Sequence, residues 1–130
     1  AFASSRSGSR QLFVMNADGS DIRQVTELPD MGGRHTWSPD GKRLAFYAGP
    51  RGDHDIYLMD VDGSGLNSGL RKITHGGDNL APSFSPNGRW ITFTSYRDGN
   101  NEIYIMRLDG SDLIRITNNL RPDWQSRWGP

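Results

Sequence analysis

The chain has 130 residues, in which 15 lysines and arginines balance 15 aspartates and glutamates; 34% of residues are apolar and none is cysteine. Zero net charge gives no long-range positive field, so neither nucleic acid nor an anionic membrane surface is an expected partner. The lack of cysteine excludes disulfides, thiolate metal sites and cysteine nucleophiles. No stretch approaches the roughly 18 apolar residues of a membrane helix, so no membrane insertion is expected.

One sequence unit occurs three times, in residues 1–45, 46–92 and 93–130, and we predict that the three units form a single domain. The units share the following anchors: Phe2, Phe46 and Phe93; Met15, Met59 and Met106; an Asp-Gly-Ser triplet beginning at Asp18, Asp62 and Asp109; Thr26, Thr74 and Thr117; and Trp37, Phe84 and Trp128. A repeat of about 45 residues with several short apolar runs is typical of β-propeller blades, each a four-stranded antiparallel sheet. The predicted fold class is therefore all-β.

The apolar runs predict strands in chain order. Residues 12–15, 56–59 and 103–106 are unbroken apolar runs, as expected of strands that neighbouring blades cover on both faces. Residues 43–47 and 90–95 alternate long apolar with small or polar side chains, which predicts half-buried strands. The flanking turn residues and the short runs leave no need for a helix.

The turns support this reading and carry a resemblance. Ser38-Pro39-Asp40-Gly41 and Ser85-Pro86-Asn87-Gly88 have proline and glycine at the positions that close a hairpin. The string from Trp37 to Phe46, together with Ser95-Tyr96-Arg97-Asp98-Gly99-Asn100, Glu102-Ile103-Tyr104-Ile105-Met106 and Ile116-Thr117, resembles the repeat of TolB-like, WD-like propellers along almost the whole chain. Tyr47-Ala48-Gly49-Pro50 and Trp128-Gly129-Pro130 depart from that repeat. Related repeats also build the propellers of prolyl oligopeptidase-like peptidases and some lyases, so the resemblance implies a fold more firmly than a function.

The resemblance also implies incomplete blades. In that family the inner strand of a blade carries the Trp-Ser-Pro tripeptide, so the first blade here lacks its inner strand, and Trp128 ends an inner strand that lacks a blade. Three blades are too few to close a ring. We predict a six-bladed ring formed by a homodimer, in which residues 125–128 of one copy complete the first blade of the other. The alternative is that the chain is half of a longer polypeptide.

Ring propellers bind ligands and proteins where the loops between outer and inner strands surround the channel. The corresponding loops here are residues 27–34, 75–80 and 118–123. The predicted binding residues in and beside them are Asp30, Arg34, His35, Asp78, Asn79, Arg121, Asp123, Trp124 and Arg127. Arginine and tryptophan are enriched in interface hot spots. The competing interpretation is that these are solvated loop residues, with Trp124 packing locally.

The pattern does not predict a catalytic residue, a metal site or a cofactor. His35, His54 and His75 fall at non-equivalent points of the repeat and need not converge on one metal. The chain has no Gly-x-Ser-x-Gly motif, and its carboxylates lie mostly in repeated turn positions that serve each blade.

The preferred function is therefore a non-catalytic scaffold that binds a protein or peptide at the channel face. The resemblance to TolB implies an extracytoplasmic, periplasmic location. The alternative is an accessory or gating propeller of a larger enzyme, such as a prolyl oligopeptidase-like peptidase or a lyase. A third hypothesis is a small-ligand binder that uses the channel.

Overall fold

The computed structural model describes residues 1–129, which form eleven β-strands and contain no helix that could cross a membrane. Pro130, the last residue of the atypical Trp128-Gly129-Pro130 tripeptide, lies outside the described residues. The strands are β1 (Phe2–Ser4), β2 (Gln11–Val14), β3 (Arg23–Gln24), β4 (Met31–Trp37), β5 (Arg43–Ala48), β6 (Asp55–Asp60), β7 (Arg71–Lys72), β8 (Asn79–Phe84), β9 (Trp90–Ser95), β10 (Glu102–Arg107) and β11 (Ile114–Arg115).

The strands form three antiparallel sheets in which each strand pairs with its neighbour in sequence. The first sheet has the order β1-β2-β3, the second β4-β5-β6-β7 and the third β8-β9-β10-β11. This confirms the predicted all-β fold of sequential meanders. It also confirms that the first sheet is one strand short, because β1 corresponds to β5 and β9 and has nothing in the place of β4 and β8.

The Ser-Pro turns connect the inner strand of a sheet to the next strand. In the second sheet, the Ser38 hydroxyl accepts a hydrogen bond from the Arg43 N–H (2.9 Å) and donates to the Asp40 carboxylate (2.5 Å). In the third sheet, the Ser85 hydroxyl accepts from the Trp90 N–H at 3.0 Å. The glycine of each turn has positive φ, which its missing Cβ allows. The sequence therefore fixes these hairpins locally.

Two apolar interfaces hold the three sheets together. We call the side of a sheet that contacts the preceding sheet its upstream face, and the other side its downstream face. In the first interface, the downstream residues Leu12, Val14 and Val25 pack on the upstream residues Leu44, Phe46 and Met59 of the second sheet. The second interface repeats this pattern with Ile56, Leu58 and Ile73 against Ile91, Phe93 and Met106. The unbroken apolar runs are thus explained by sheets that are covered on both faces.

A threonine after the last strand of each sheet forms the same hydrogen bonds three times, buried in the first two sheets and partly buried in the third. The Thr26, Thr74 and Thr117 hydroxyls accept from the N–H groups of Leu12, Ile56 and Ile103, each at 2.8 Å. Each hydroxyl also donates to the side chain that begins the third strand of a blade: Gln11, Asp55 or Glu102. A buried polar group without such partners would be destabilising, so the repeated threonine is a structural requirement of the blade.

The residue two places before each threonine complements this buried side chain: it is positively charged where that side chain is acidic and neutral where that side chain is neutral. Lys72 Nζ lies 2.9 Å from Asp55 Oδ2, and Arg115 Nη2 lies 3.0 Å from Glu102 Oε1. The first sheet has two neutral residues instead, Gln11 and Gln24. The Thr117 hydroxyl, with further help from Arg115, lowers the pKa of Glu102 below its ordinary value of 4.5.

Both complete inner strands contain irregularities. In β4 the register with β5 shifts between Met31 and His35, and in β8 the register with β9 shifts between Leu80 and Ser83. A bulge of this kind releases residues from the ladder and redirects their side chains. Since the predicted loops 27–34 and 75–80 extend into these strands, the observed loops end earlier, at residues 30 and 78.

The predicted inner strand at residues 125–128 does not form a strand. The segment nevertheless contacts the third sheet: the Asp123 N–H donates to the Asn101 carbonyl (2.7 Å) and the Gln125 N–H donates to Thr94 Oγ1 (2.9 Å). A strand needs a ladder partner, and the described residues of one chain supply only side-chain and loop contacts here, so the pairing of this segment with a second copy stays a prediction.

Replacing Thr74 with valine tests the repeated threonine. Thr74→Val preserves the shape of the side chain but removes the acceptor of the buried Ile56 N–H and one of the hydrogen-bond donors to the Asp55 carboxylate. We expect the free energy of unfolding, measured by urea denaturation, to fall by about 1–3 kcal/mol. Thr36→Val is the matched control, because the Thr36 hydroxyl makes only a 3.5 Å contact with the Trp37 carbonyl. Equal losses in both variants would contradict the assigned role.

Glu102 is expected to contribute to acid sensitivity. Because its pKa is lowered in the folded state, its stabilising effect is complete above pH 4.5 and is lost as the pH falls through the lowered pKa. Glu102→Gln, which copies Gln11 of the first sheet, should therefore reduce the decrease in Tm between about pH 5 and pH 3. The control is Glu27→Gln, whose exposed side chain makes no hydrogen bond among residues 1–129. An unchanged pH profile for Glu102→Gln would refute this account.

Candidate functional site

Three equivalent segments converge on a cleft of about 280 Å³. The lining consists of residues 33–36 in β4, 81–83 in β8 and 125–127 after the third sheet. Trp37, Phe84 and Trp128 occupy the same repeat position, so these three segments are successive copies of one part of the repeat. Inner strands surround the channel of a closed propeller, and the cleft lies on the inner-strand side of the three sheets.

Unusual backbone angles shape two of the three segments. Ala81 has φ of 52° and Gln125, its repeat equivalent, has φ of 57°. Such left-handed conformations are uncommon for residues that carry a Cβ and are concentrated at functional or strained sites. They turn the chain in the same way in both segments, so residues 81–83 and 125–127 border one shared concavity.

The cleft is basic. Arg34 and Arg127 both line it, and the lining includes no aspartate or glutamate among the described residues. Neither guanidinium forms a side-chain hydrogen bond or an ion pair within residues 1–129. The cleft is thus a place of local positive charge on a chain whose net charge is zero.

His35 also lines the cleft, and one of its two ring nitrogens already has a hydrogen-bond partner. Its Nε2 lies 2.9 Å from the Ala1 carbonyl oxygen, and since a carbonyl oxygen only accepts, Nε2 carries the proton. In the neutral ring Nδ1 is then an acceptor, and it is buried without a partner in the described part of the chain. Buried polar atoms in this situation are rare and often occur at functional sites.

A smaller cleft of about 150 Å³ adjoins the first and is more apolar in character. Arg34, Ala81 and Gln125 line both clefts, while Tyr47 and Trp124 line only the smaller one. Trp124 is largely exposed. A basic concavity therefore lies next to an accessible aromatic ring.

Asp78 and Asn79, also predicted to bind, are occupied elsewhere. Asp78 Oδ1 lies 2.5 Å from His54 Nδ1, and the His54 ring packs edge-on against Tyr47. Asn79 is completely buried: its amide donates to the Gly76 carbonyl (2.8 Å), and its oxygen accepts from Arg97 (3.0 Å). The Asp78 contact, and a further one from the Asn79 amide to Asp55 Oδ1 (3.2 Å), join the second and third sheets, so both residues support the structure.

The remaining predicted residues lie outside the cleft. Asp30 is exposed and has φ of 50°, and its carbonyl accepts from the Gly49 N–H. Asp123 accepts from the Asn119 side chain at 2.7 Å, and the Arg121 N–H donates to the same asparagine at 2.8 Å. Of the nine predicted residues, the structure brings together Arg34, His35 and Arg127 in the larger cleft and Trp124 in the adjoining one.

Comparisons with known proteins agree with the fold. No protein-family model matches the chain. The Tol-Pal system protein TolB of Syntrophus aciditrophicus is 39% identical over 54 residues, which are 42% of this chain and 12% of that protein. The TolB structure from Agrobacterium tumefaciens superimposes with a TM-score of 0.82 and 36% identity, over 95% of this chain and 43% of that chain. The chain is built from TolB-like β-propeller repeats.

The TolB-like chain spans less than half the length of these relatives. A puromycin hydrolase structure matches 79% of the chain with a TM-score of 0.62 but only 13% identity, over 17% of the hydrolase. That likeness shows the propeller fold alone.

Sequence reasoning missed several residues that line the cleft of the TolB-like chain. The missed residues that supply polar groups there are Thr36, Ser83, Gln125 and Ser126. Their positions depend on the bulges of the inner strands and on positive φ at residues that are not glycine, neither of which has a signature in the sequence. The one available signal was the alignment of the repeats, which places these residues beside Arg34 and His35.

Asn79→Ala should distinguish a structural role from a binding role. The substitution removes an amide with buried partners, so we expect the free energy of unfolding to fall by about 1–3 kcal/mol in urea denaturation. Arg34→Gln, at an exposed position of the cleft, should change stability by less than about 0.5 kcal/mol. An Asn79→Ala variant as stable as Arg34→Gln would show that the buried contacts of Asn79 contribute little.

Proposed function

We propose that this chain, a single domain over residues 1–130, is part of a six-bladed TolB-like propeller that serves as a non-catalytic binding scaffold. Its partner would be a protein or peptide that docks at the channel face. The observation that carries the proposal is the pair of adjoining clefts, in which Arg34, Arg127 and Trp124 are accessible on equivalent segments. Arginine and tryptophan are the residue types that most often dominate protein interfaces.

The downstream face of the third sheet supports completion of the ring. Ile116 is 55% exposed, whereas its repeat equivalents Val25 and Ile73 are 1% and 7% exposed because the next sheet covers them. The upstream face of the first sheet is open in the same way: Met15 is 47% exposed, against 1% for Met59 and 2% for Met106. In both internal interfaces a downstream face packs against an upstream face. The open downstream face of the third sheet and the open upstream face of the first sheet are therefore complementary.

We propose that a second copy covers these faces and forms a homodimeric ring. Residues 125–128 of one copy would then pair with the free edge of β1 in the other, which removes an exposed sheet edge. A two-fold axis would create both contacts at once. The other source of the missing blades is further repeats in one longer polypeptide, an arrangement that the greater length of the TolB relatives favours.

We base the proposed cellular location on the name of the relatives. TolB of Syntrophus aciditrophicus is called a Tol-Pal system protein, and we propose that this chain also belongs to such a system and acts outside the cytoplasm, in the periplasm. An accessory propeller of a peptidase or lyase has less support, since the peptidase likeness extends only to the fold.

Site-specific photo-crosslinking in cells tests the scaffold proposal. A photo-reactive phenylalanine analogue at Trp124 should yield an adduct with a second protein, because this ring is accessible beside the basic cleft. The matched control carries the same analogue at Arg89, in the turn after β8 and away from both clefts. Adducts of equal yield at both positions, or none at Trp124, would contradict docking at the channel face.

Assembly is tested by the mass in solution of the wild type and of Ile116→Glu. Light scattering should give twice the chain mass for the wild type. For Ile116→Glu it should give the monomer mass, because a carboxylate cannot be buried unpaired at the interface. The variant should still melt cooperatively, since Ile116 is exposed within one chain. The control is Leu66→Glu. Leu66 is likewise an exposed aliphatic residue, but it lies in the surface loop of the second unit, so this substitution should leave the mass unchanged. A cooperatively folded wild-type monomer at all concentrations would exclude the homodimer and leave the longer-polypeptide source.

A further inference from the structure

Resting on the proposed function, we infer that the basic cleft binds a side-chain carboxylate of an acidic peptide segment in the partner, held between Arg34 and Arg127. The two arginines come from the first and third of the equivalent segments, which enclose the cleft of about 280 Å³. This volume lies near the lower limit of ligand pockets, so it suits one or two side chains of a bound peptide rather than a large cofactor.

The state of the two guanidinium groups supports an anionic ligand. Arg107 and Arg115 are the arginines that pair with carboxylates among residues 1–129, Arg107 with Asp112 and Arg115 with Glu102. Arg34 and Arg127 have none among residues 1–129, and no acidic residue lines the space between their segments. Guanidinium groups match carboxylates through two parallel hydrogen bonds, so an incoming carboxylate would supply the missing partner.

Neutral polar groups around the arginines can complete the coordination. Thr36, Ser83 and Gln125 line the same cleft and can donate to a carboxylate oxygen. Ser126 also lines it, although its hydroxyl is already within 2.6 Å of Thr92 Oγ1. The set therefore offers several donors and lacks any carboxylate that would repel an anion.

One neighbouring feature favours a peptide over a simple anion. The adjoining cleft shares Arg34 with the basic cleft and exposes Trp124, which offers an apolar surface for the next side chain of the peptide. An acidic residue flanked by an apolar residue is thus the expected recognition unit.

Calorimetric titration of the full chain with three pentapeptides, of which the first two are blocked at both ends, tests this inference. The first carries two glutamates around a leucine, the second replaces both glutamates with glutamine, and the third is the glutamine peptide with a free terminal carboxylate. We expect the glutamate peptide to bind at least about tenfold more tightly than the glutamine peptide, as loss of a charge-assisted hydrogen bond predicts. Tighter binding of the third peptide than of the first would overturn the inference in favour of a chain-end site.

Variants of the two arginines assign the binding to the cleft. Arg34→Gln and Arg127→Gln should each weaken binding of the glutamate peptide about tenfold, while Arg89→Gln, which removes the same charge outside the cleft, should change it by less than about twofold. Arg127→Lys keeps the charge but loses the paired geometry and should lie between them. All variants are first compared with the wild type by thermal melting. If Arg127→Gln fails to fold, Arg127→Lys replaces it in the comparison.

Three results would overturn the inference. They are equal affinity for the glutamate and glutamine peptides, equal effects of Arg34→Gln and Arg89→Gln, and displacement of the peptide by inorganic phosphate at the same concentration as the peptide itself. Absence of binding by all three peptides would also reject it. None of these outcomes bears on the crosslinking at Trp124, so the scaffold proposal is judged separately.

Discussion

The structure depends on the burial of repeated apolar faces between consecutive sheets. Each sheet is apolar on both sides, so covering both faces with neighbouring sheets is energetically favourable. The contact between Leu12, Val25 and Met59 recurs one repeat later between Ile56, Ile73 and Met106. Three sheets satisfy two such interfaces and leave two faces open. The need to cover those faces links the fold of this chain to its proposed assembly.

Buried polar groups follow the same repeat and obey a second constraint. A charged side chain can be buried only with a partner, and the chain meets this requirement separately in each sheet. Where Asp55 replaces the neutral Gln11, Lys72 replaces Gln24. In the third sheet Glu102 is paired with Arg115. The repeats therefore vary in chemistry while the hydrogen-bonded geometry remains the same.

The candidate site uses the positions at which the repeats differ. Residues that are repeated, such as Thr26, Thr74 and Thr117, maintain the sheets. The equivalent positions Arg34, Ala81 and Gln125 have three different side chains, and all of them line the basic cleft. The irregular backbone of the inner strands allows this variety, because residues at a bulge are released from the ladder. A regular scaffold thus presents an individual binding surface.

The sequence by itself determined the three repeats, the all-β architecture and the hairpin turns, because each follows from apolar periodicity and local turn chemistry. The strand missing from the first sheet was implied by the resemblance to TolB-like repeats. The sequence also predicted Arg34, His35, Trp124 and Arg127 as binding residues, and the structure places them along the two adjoining clefts. Only the tertiary structure showed that Asn79 and Asp78 make structural contacts, because their partners Asp55 and His54 lie at the start of the third strand of the preceding sheet. The left-handed conformation of Ala81 and Gln125, and the cleft that results, were likewise decided by packing between sheets, for which neither residue type carries a local signal.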